Sequence, residues 1–276
     1  MSLPFRQVDV FTATPYLGNP LAVVHGADGL SAEQMQRFAG WTNLSETTFL
    51  LAPRDGADYR VRIFTPTREL PFAGHPTLGS CHAWLEAGGR PRQPGVVTQQ
   101  CDAGLIDIRV GTDGLAFAAP PLVRSGPVDA ELAQRVAAML GIDPADIVDL
   151  QWADNGPGWI AVLLASAEAV LAIQPQPGAE NVGVAGPHRA GGPAAFEVRA
   201  FFPGNGVTYE DPVTGSFNAS LAQWLLSTGR AQAPYLARQG TALGRSGQVR
   251  ITQDPDGQVW VGGSVVTCVS GTVDLS

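Results

Sequence analysis

Four side chains in this sequence are of types, and in settings, that could do proton chemistry: Glu46, His75, Asp211 and Ser216. Glu46 stands in NLSETTFLL, flanked by Leu44, Thr48 and Phe49, with no other charge nearby. A carboxylate so placed is desolvated, and its pKa is expected to rise towards the range useful for proton transfer. The same residue also reads as a surface glutamate at the start of a strand, and the sequence alone leaves these two readings level. His75 either hydrogen-bonds or protonates a substrate, or only caps a helix, and Asp211 stands in the same position. Thr214 and Ser216 either donate to a bound carboxylate or satisfy backbone groups in a helical first turn. Gly74 and Gly215 fit tight loops, and such loops also let a ligand approach the backbone closely.

These residues lie in two copies of one pattern. RIFTPTRELPFAGHPTLGSCHAWL (62–85) returns in degraded form as RAFFPGNGVTYEDPVTGSFNASLAQWL (199–225). Each copy opens on an extended Arg-x-Phe, bends through a loop, and enters an apolar, almost uncharged segment ending in Trp-Leu. The pattern predicts strand, loop and buried helix, twice. Pro76 and Pro212 suit a first helical position, where a missing N–H costs nothing, and this makes His75 and Asp211 the expected N-caps. The loops Gly74–Thr77 and Asp211–Ser216 then present unpaired backbone N–H groups, and an anionic substrate group held between two such helix starts would meet the positive ends of both dipoles.

The elements around this core follow from alternation and capping. Strands are expected at 5–11, 21–24, 47–51, 59–64, 95–100, 105–110 and 115–118, with a helix over 32–41 capped by Ser31. Ala119-Pro120-Pro121 marks a linker. Beyond it, Asp129 caps a helix over 130–140 that resembles the Ser31 helix. Asn155-Gly156-Pro157-Gly158 leads into a strand at 159–164 much as Asn43–Glu46 leads into 47–51, which sets Gly158 opposite Glu46. Strands follow at 196–202, 248–252, 258–262 and 265–269. The expected fold is α+β, with two pseudo-symmetric domains, 1–118 and 122–265, each a curved antiparallel sheet around a central helix, and 266–276 able to complete the first.

Composition bounds the function. With 45% hydrophobic residues, 15% charged residues, 33 Gly and 22 Pro among 276, the chain suits a globular protein with many turns. A net charge of −8 with no Lys/Arg cluster argues against nucleic acid and against an anionic membrane surface as partners. The N-terminus has no basic segment followed by an apolar run, no apolar stretch is long enough to span a bilayer, and a cytoplasmic location is expected. Cys81, Cys101 and Cys268 form no Cys-x-x-Cys pair, and His25, His82 and His188 lack metal-ligand spacing. A serine hydrolase built on Ser216 has no Gly-x-Ser-x-Gly elbow, and phosphate-loop and dinucleotide fingerprints are absent. A protein that only binds a small metabolite also fits these residues.

Taken together, VDVFT with GNPLAVV, then NLSETTFL, ELPFAGHPTLGS, EDPVTGS, and finally LGRSGQVRI with VWVGG resemble the PhzF-like phenazine-biosynthesis family, which shares the diaminopimelate epimerase fold. The resemblance runs along nearly the whole chain. It implies two similar domains with the active site between them, no metal or organic cofactor, and commonly a homodimer. It also implies an isomerase working by acid–base proton transfer on a small carboxylate-bearing metabolite, in this family a hydroxylated cyclic amino acid. Glu46 then carries the proton, and His75, Asp211 and Ser216 match the remaining site residues. Two departures stand out. Phe217-Asn218-Ala219 follows TGS where many relatives carry small residues or His, and the two catalytic cysteines of epimerases with this fold are missing from both loops.

Overall fold

The computed structural model describes residues 2–204 and 206–275. The chain divides into two compact units: one runs to Ala118 and resumes at Gly262, and the other is Ala119–Val261.

The first unit begins with β1 (Ser2–Val10), β2 (Asn19–Val24), α1 (Ala32–Thr42), β3 (Thr47–Leu51), β4 (Tyr59–Phe64) and β5 (Glu69–Leu70). Its central helix α2 (Gly74–Glu86) leads to β6 (Val96–Cys101), β7 (Gly104–Gly111) and β8 (Gly114–Ala118). Ser31 starts α1 with a capping box: its hydroxyl accepts from the Gln34 N–H, and the Gln34 side chain returns to the Ser31 N–H. Nine of the thirteen residues of α2 are buried, as its nearly uncharged sequence requires. Gly79 shows how closely α2 lies on the sheet. A Cβ there would stand 2.5 Å from Leu21 Cδ2 and 3.0 Å from methyls of Val8 and Val10.

The second unit has β9 (Arg124–Pro127), α3 (Ala130–Leu140, capped by Asp129), β10 (Ile147–Asp154), β11 (Trp159–Leu164), the short α4 (Ala167–Ala172) and β12 (Asn181–Pro187). It continues through β13 (Phe196–Gly204), β14 (Val207–Asp211), the central helix α5 (Gly215–Ser227), β15 (Tyr235–Gln239), β16 (Gly247–Gln253) and β17 (Val259–Gly263). The last strand, β18 (Val265–Asp274), belongs to the first unit and pairs antiparallel along β1. In the second unit α3 and α4 cover an apolar core of Val136, Leu140, Ile160, Val162, Val184 and Phe201.

The sheets are mixed rather than wholly antiparallel. β2 and β3, β4 and β6, β11 and β12, and β13 and β15 pair in parallel. In each case a helix lies between the two strands, and a parallel neighbour requires such a crossover, which a hairpin cannot supply.

The repeated element order is β1-β2-α1-β3-β4-β5-α2-β6-β7-β8, answered by β10-β11-α4-β12-β13-β14-α5-β15-β16-β17. This corrects the expected internal alignment. The helix 130–140 has no counterpart in α1, because it precedes β10, and the counterpart of α1 is α4. Strand registers sharpen the match. Phe64 of Arg62-x-Phe64 faces Thr47, and Phe201 of Arg199-x-Phe201 faces Val182. Thr47 therefore corresponds to Val182, and Glu46 to Asn181 rather than to Gly158. Phe64 also faces Glu69 and Phe201 faces Glu210, which sets Leu70 opposite Asp211 in the repeat. The arginine–glutamate pairs agree with this register. Arg62 holds Glu69 bidentately at 2.6 and 2.7 Å, and Arg199 holds Glu210 at 3.0 and 2.7 Å.

Candidate functional site

In the first unit, α1 ends on Asn43 in the left-handed conformation (φ 53°), and after three intervening residues the chain enters the buried start of β3. This turn places Glu46 at the mouth of an enclosed strand, with its side chain 16% exposed. Next to it the Thr42 and Thr47 hydroxyls meet at 3.0 Å. His75 was expected to cap α2, but the helix starts one residue before it. Ala73 is extended and stands at the cap, and its carbonyl takes both the N–H and the hydroxyl of Thr77. His75 is thus the second helical residue, and Pro76 the third. The N–H groups of Gly74 and His75 are those without an intrahelical partner. Thr77 is fully buried, and its oxygen also accepts from Gln99 Nε2 at 3.0 Å. Its hydroxyl proton is therefore committed to the helix start.

His75 Nε2 lies 3.4 Å from Glu46 Oε2, the span of an ion pair. Burial nevertheless pushes the His75 imidazole down to about 3, against the opposing pull of a hydrogen bond to the Pro20 carbonyl. Burial dominates, so the ring is neutral at pH 7, and this contact is not one between two full charges. Nε2 makes no hydrogen bond that meets the usual geometry, so the Pro20 carbonyl takes the Nδ1 proton. A lone pair on Nε2 then faces the Glu46 carboxyl.

In the second unit the expected N-cap at Asp211 is likewise displaced. α5 starts at Gly215 with Thr214 at the cap, and Asp211 ends β14. The reason lies in the intervening hydrogen bonds. Thr214 Oγ1 donates to Asp211 Oδ2 at 2.6 Å, the Thr214 N–H donates to Gln239 Oε1, and Gln239 Nε2 donates to both Thr214 Oγ1 and the Asp211 carbonyl. The Thr214 proton is used on Asp211. Ser216 differs: its Oγ accepts from Trp159 Nε1 at 3.1 Å, and its carbonyl accepts from Asn155 Nδ2 at 2.9 Å. Within this unit its partners are an indole and an amide, not an imidazole, and the geometry gives no support to a serine nucleophile.

The departures at 217 and 218 are absorbed by the interior. Phe217 is fully buried, 5.2 Å from the Trp159 ring centroid, and its ring occupies the space a Cβ on Gly183 would need. Asn218 donates to the Thr214 carbonyl and to Gln239 Oε1. Gln99, Gln239, Asn155 and Trp159 were not singled out from sequence. The available signal was a glutamine in each of two otherwise buried strand faces, Gln99 in VVTQQC and Gln239 in YLARQ.

Among the described residues no three His, Cys, Asp or Glu side chains are grouped as metal ligands, and no helix is long and apolar enough to cross a membrane. Burial raises the Cys81 thiol far above its ordinary range, which makes it inert as a nucleophile.

The family model of phenazine biosynthesis-like proteins matches residues 8–271. The chain belongs to that family. It is 34% identical to trans-2,3-dihydro-3-hydroxyanthranilate isomerase of Pseudomonas fluorescens over 97% of this chain and 98% of that protein. It is 35% identical to antisense-enhancing sequence 1 of Schizosaccharomyces pombe, with 97% of each covered. The crystal structure of a PhzF-family phenazine biosynthesis protein from Bacillus anthracis superposes with a TM-score of 0.85 at 22% identity, covering all of both chains, and shows the same α+β fold. As a member of the phenazine biosynthesis-like family the chain is an isomerase.

Proposed function

We propose that this isomerase moves a proton, without a cofactor, on a small carboxylate-bearing amino or hydroxy acid, and that Glu46 is the general acid/base. The observation that carries the reading is the contact between Glu46 Oε2 and a neutral, carbonyl-anchored His75. With Nδ1–H held by Pro20, Nε2 faces the carboxyl as a lone pair, and a proton carried by Glu46 would be hydrogen-bonded to the ring rather than transferred to it. A carboxyl so placed can deliver a proton to a substrate carbon and later recover one. In the same reading Asp211, fixed by Thr214, polarises or orients the substrate. Ser216 with Gly215 anchors the carboxylate, and Gly74 and Thr77 shape the backbone next to His75. The Pseudomonas fluorescens relative supports a cyclic hydroxylated amino acid as the substrate type.

The test is deuterium wash-in from ²H₂O over a panel of cyclic and acyclic amino and hydroxy acids that includes trans-2,3-dihydro-3-hydroxyanthranilate. The expected result is exchange of one C–H without net hydrolysis, lost in Glu46→Gln. A tight complex without exchange would make the protein a binder instead. We also propose that the working form is a cytoplasmic homodimer; sedimentation at the 28.9 kDa of one chain refutes the dimer.

A further inference from the structure

A serine hydroxyl that anchors a carboxylate must donate its proton, but a hydroxyl can equally rotate to accept. In the second unit this choice is constrained. The indole of Trp159 is a donor only, and it donates to Ser216 Oγ at 3.1 Å. One lone pair of the oxygen is thereby occupied from the side of β11. The Ser216 backbone is held independently: Asn155 Nδ2 binds its carbonyl at 2.9 Å, and the turn that carries Asn155 is tied by Asp154 Oδ1, which accepts from the N–H groups of Gly156 and Gly158. The indole cannot swing away, because Trp159 is fully buried, with ring centroids 4.8 Å from Phe202 and 5.2 Å from Phe217. Phe217 is in turn seated on Gly183, where any larger residue would displace its ring. A rigid aromatic stack thus aims one N–H at one oxygen. Because an indole cannot accept, the serine proton must point elsewhere.

We propose that Trp159 is a positioning residue that fixes Ser216 as a hydrogen-bond donor and so selects an anionic acceptor, a carboxylate, at that point of the substrate. The inference rests on the reading of Ser216 as the carboxylate anchor. It assigns Phe217, the residue that departs from the family pattern, the task of holding the indole in place. The first half of the repeat makes the contrast: the residue equivalent to Ser216 is His75, and the residue equivalent to Trp159 is Leu21, which has no donor.

The experiment uses the intact chain, ¹⁵N-labelled, with malonate as the probe anion at neutral pH. Of the six tryptophan indole N–H signals, the one that shifts in Ser216→Ala belongs to Trp159, and it should be absent in Trp159→Phe. In the wild type this signal should lie downfield, exchange slowly with water, and move on adding malonate. Trp159→Phe keeps the ring stack but removes the donor, and malonate affinity should fall roughly two- to tenfold, the net worth of one hydrogen bond between neutral groups. Ser216→Ala should lose at least as much, and the double variant no more than Ser216→Ala alone. If Ser216→Ala weakens malonate and Trp159→Phe does not, the positioning role is wrong while the anchor stands. If neither variant weakens malonate, or the wild type does not bind it, the anchor reading falls and this inference with it. Should Trp159→Phe fail to fold, the Ser216→Ala spectrum still decides: no indole signal moving overturns the proposal.

Discussion

Burial of His75 makes stability depend on acidity in a direction that can be worked out. The imidazole is pushed from about 6.5 in the unfolded chain to about 3 in the folded one, because burial strips the water from its charged form. Between those values the unfolded chain binds a proton that the folded chain refuses. Stability from this group is therefore fully present above about pH 6.5 and is lost as pH falls towards 3. At about pH 4 the deficit spans roughly two and a half pH units at ~1.36 kcal/mol each, or ~3 kcal/mol, taken as order of magnitude. The perturbation is His75→Gln, which retains a polar group at the second position of α2 but cannot titrate. Urea unfolding of both proteins at about pH 7, 5.5 and 4 should show the wild type losing about 1 M more of its midpoint than the variant over that range. Carboxylates elsewhere titrate equally in both proteins, and the difference isolates His75. A direct reading comes from imidazole NMR: of the four histidines, one should hold its neutral shift down to about pH 4. Parallel midpoint curves together with a ring that titrates near 6.5 would refute both the burial argument and the neutral lone pair assigned to Nε2.

Glu46→Gln should lower turnover by roughly 10²–10⁴-fold while leaving substrate binding nearly unchanged, measured as kcat against KM in the deuterium wash-in assay; near wild-type turnover would move the proton carrier elsewhere. Arg199→Ala should destabilise by ~3–5 kcal/mol, because it strands Glu210 and the carbonyls of Val170 and Ile173 in the interior. Arg62→Ala, whose pair with Glu69 is 19% and 28% exposed, should cost clearly less by the same urea titration. Gly79→Ala should cost ~1–3 kcal/mol by overpacking against Leu21, Val8 and Val10. An unchanged midpoint would mean that α2 is free to move off the sheet.

The strands of clean alternation or dense β-branching, such as Thr47–Leu51, Tyr59–Phe64 and Trp159–Leu164, were legible residue for residue, as was the helix opened by Asp129, and the helix opened by Ser31 to within one residue. What the sequence hid were elements whose pattern is broken for a physical reason. β12, NVGVAGP, carries two glycines: Gly183 makes room for Phe217, and Gly186 approaches the Ser166 carbonyl. Strand-interior glycines read as turns unless the partner that needs the space is known. β10 is mostly half-exposed and lacks a period, and α4 is only six residues long. With β10, α4 and β12 unseen, β11 was matched to β3, and Gly158 was set opposite Glu46. Cap chemistry misled in a related way, because a His or Asp before Pro is a good cap in isolation, whereas here Thr77 closes on the Ala73 carbonyl and Gln239 claims Thr214 and the Asp211 carbonyl.

Corrected by register, the repeat makes a stronger case than the sequence did. Three positions differ in chemistry between otherwise matched frames: Glu46 against Asn181, Leu70 against Asp211, and His75 against Ser216. The frame itself is retained in both halves as an Arg–Glu bidentate pair and a glutamine reaching the helix start. Asn181 spends its amide on the Pro157 carbonyl, which leaves that corner of the second unit with no group that can gain or lose a proton near pH 7. In the first unit the same corner holds a carboxyl against a neutral imidazole. The two copies of the frame thus differ in kind: the first carries a carboxyl and an imidazole, and the second an amide, a hydroxyl and the Asp211 carboxyl, which takes the Thr214 proton.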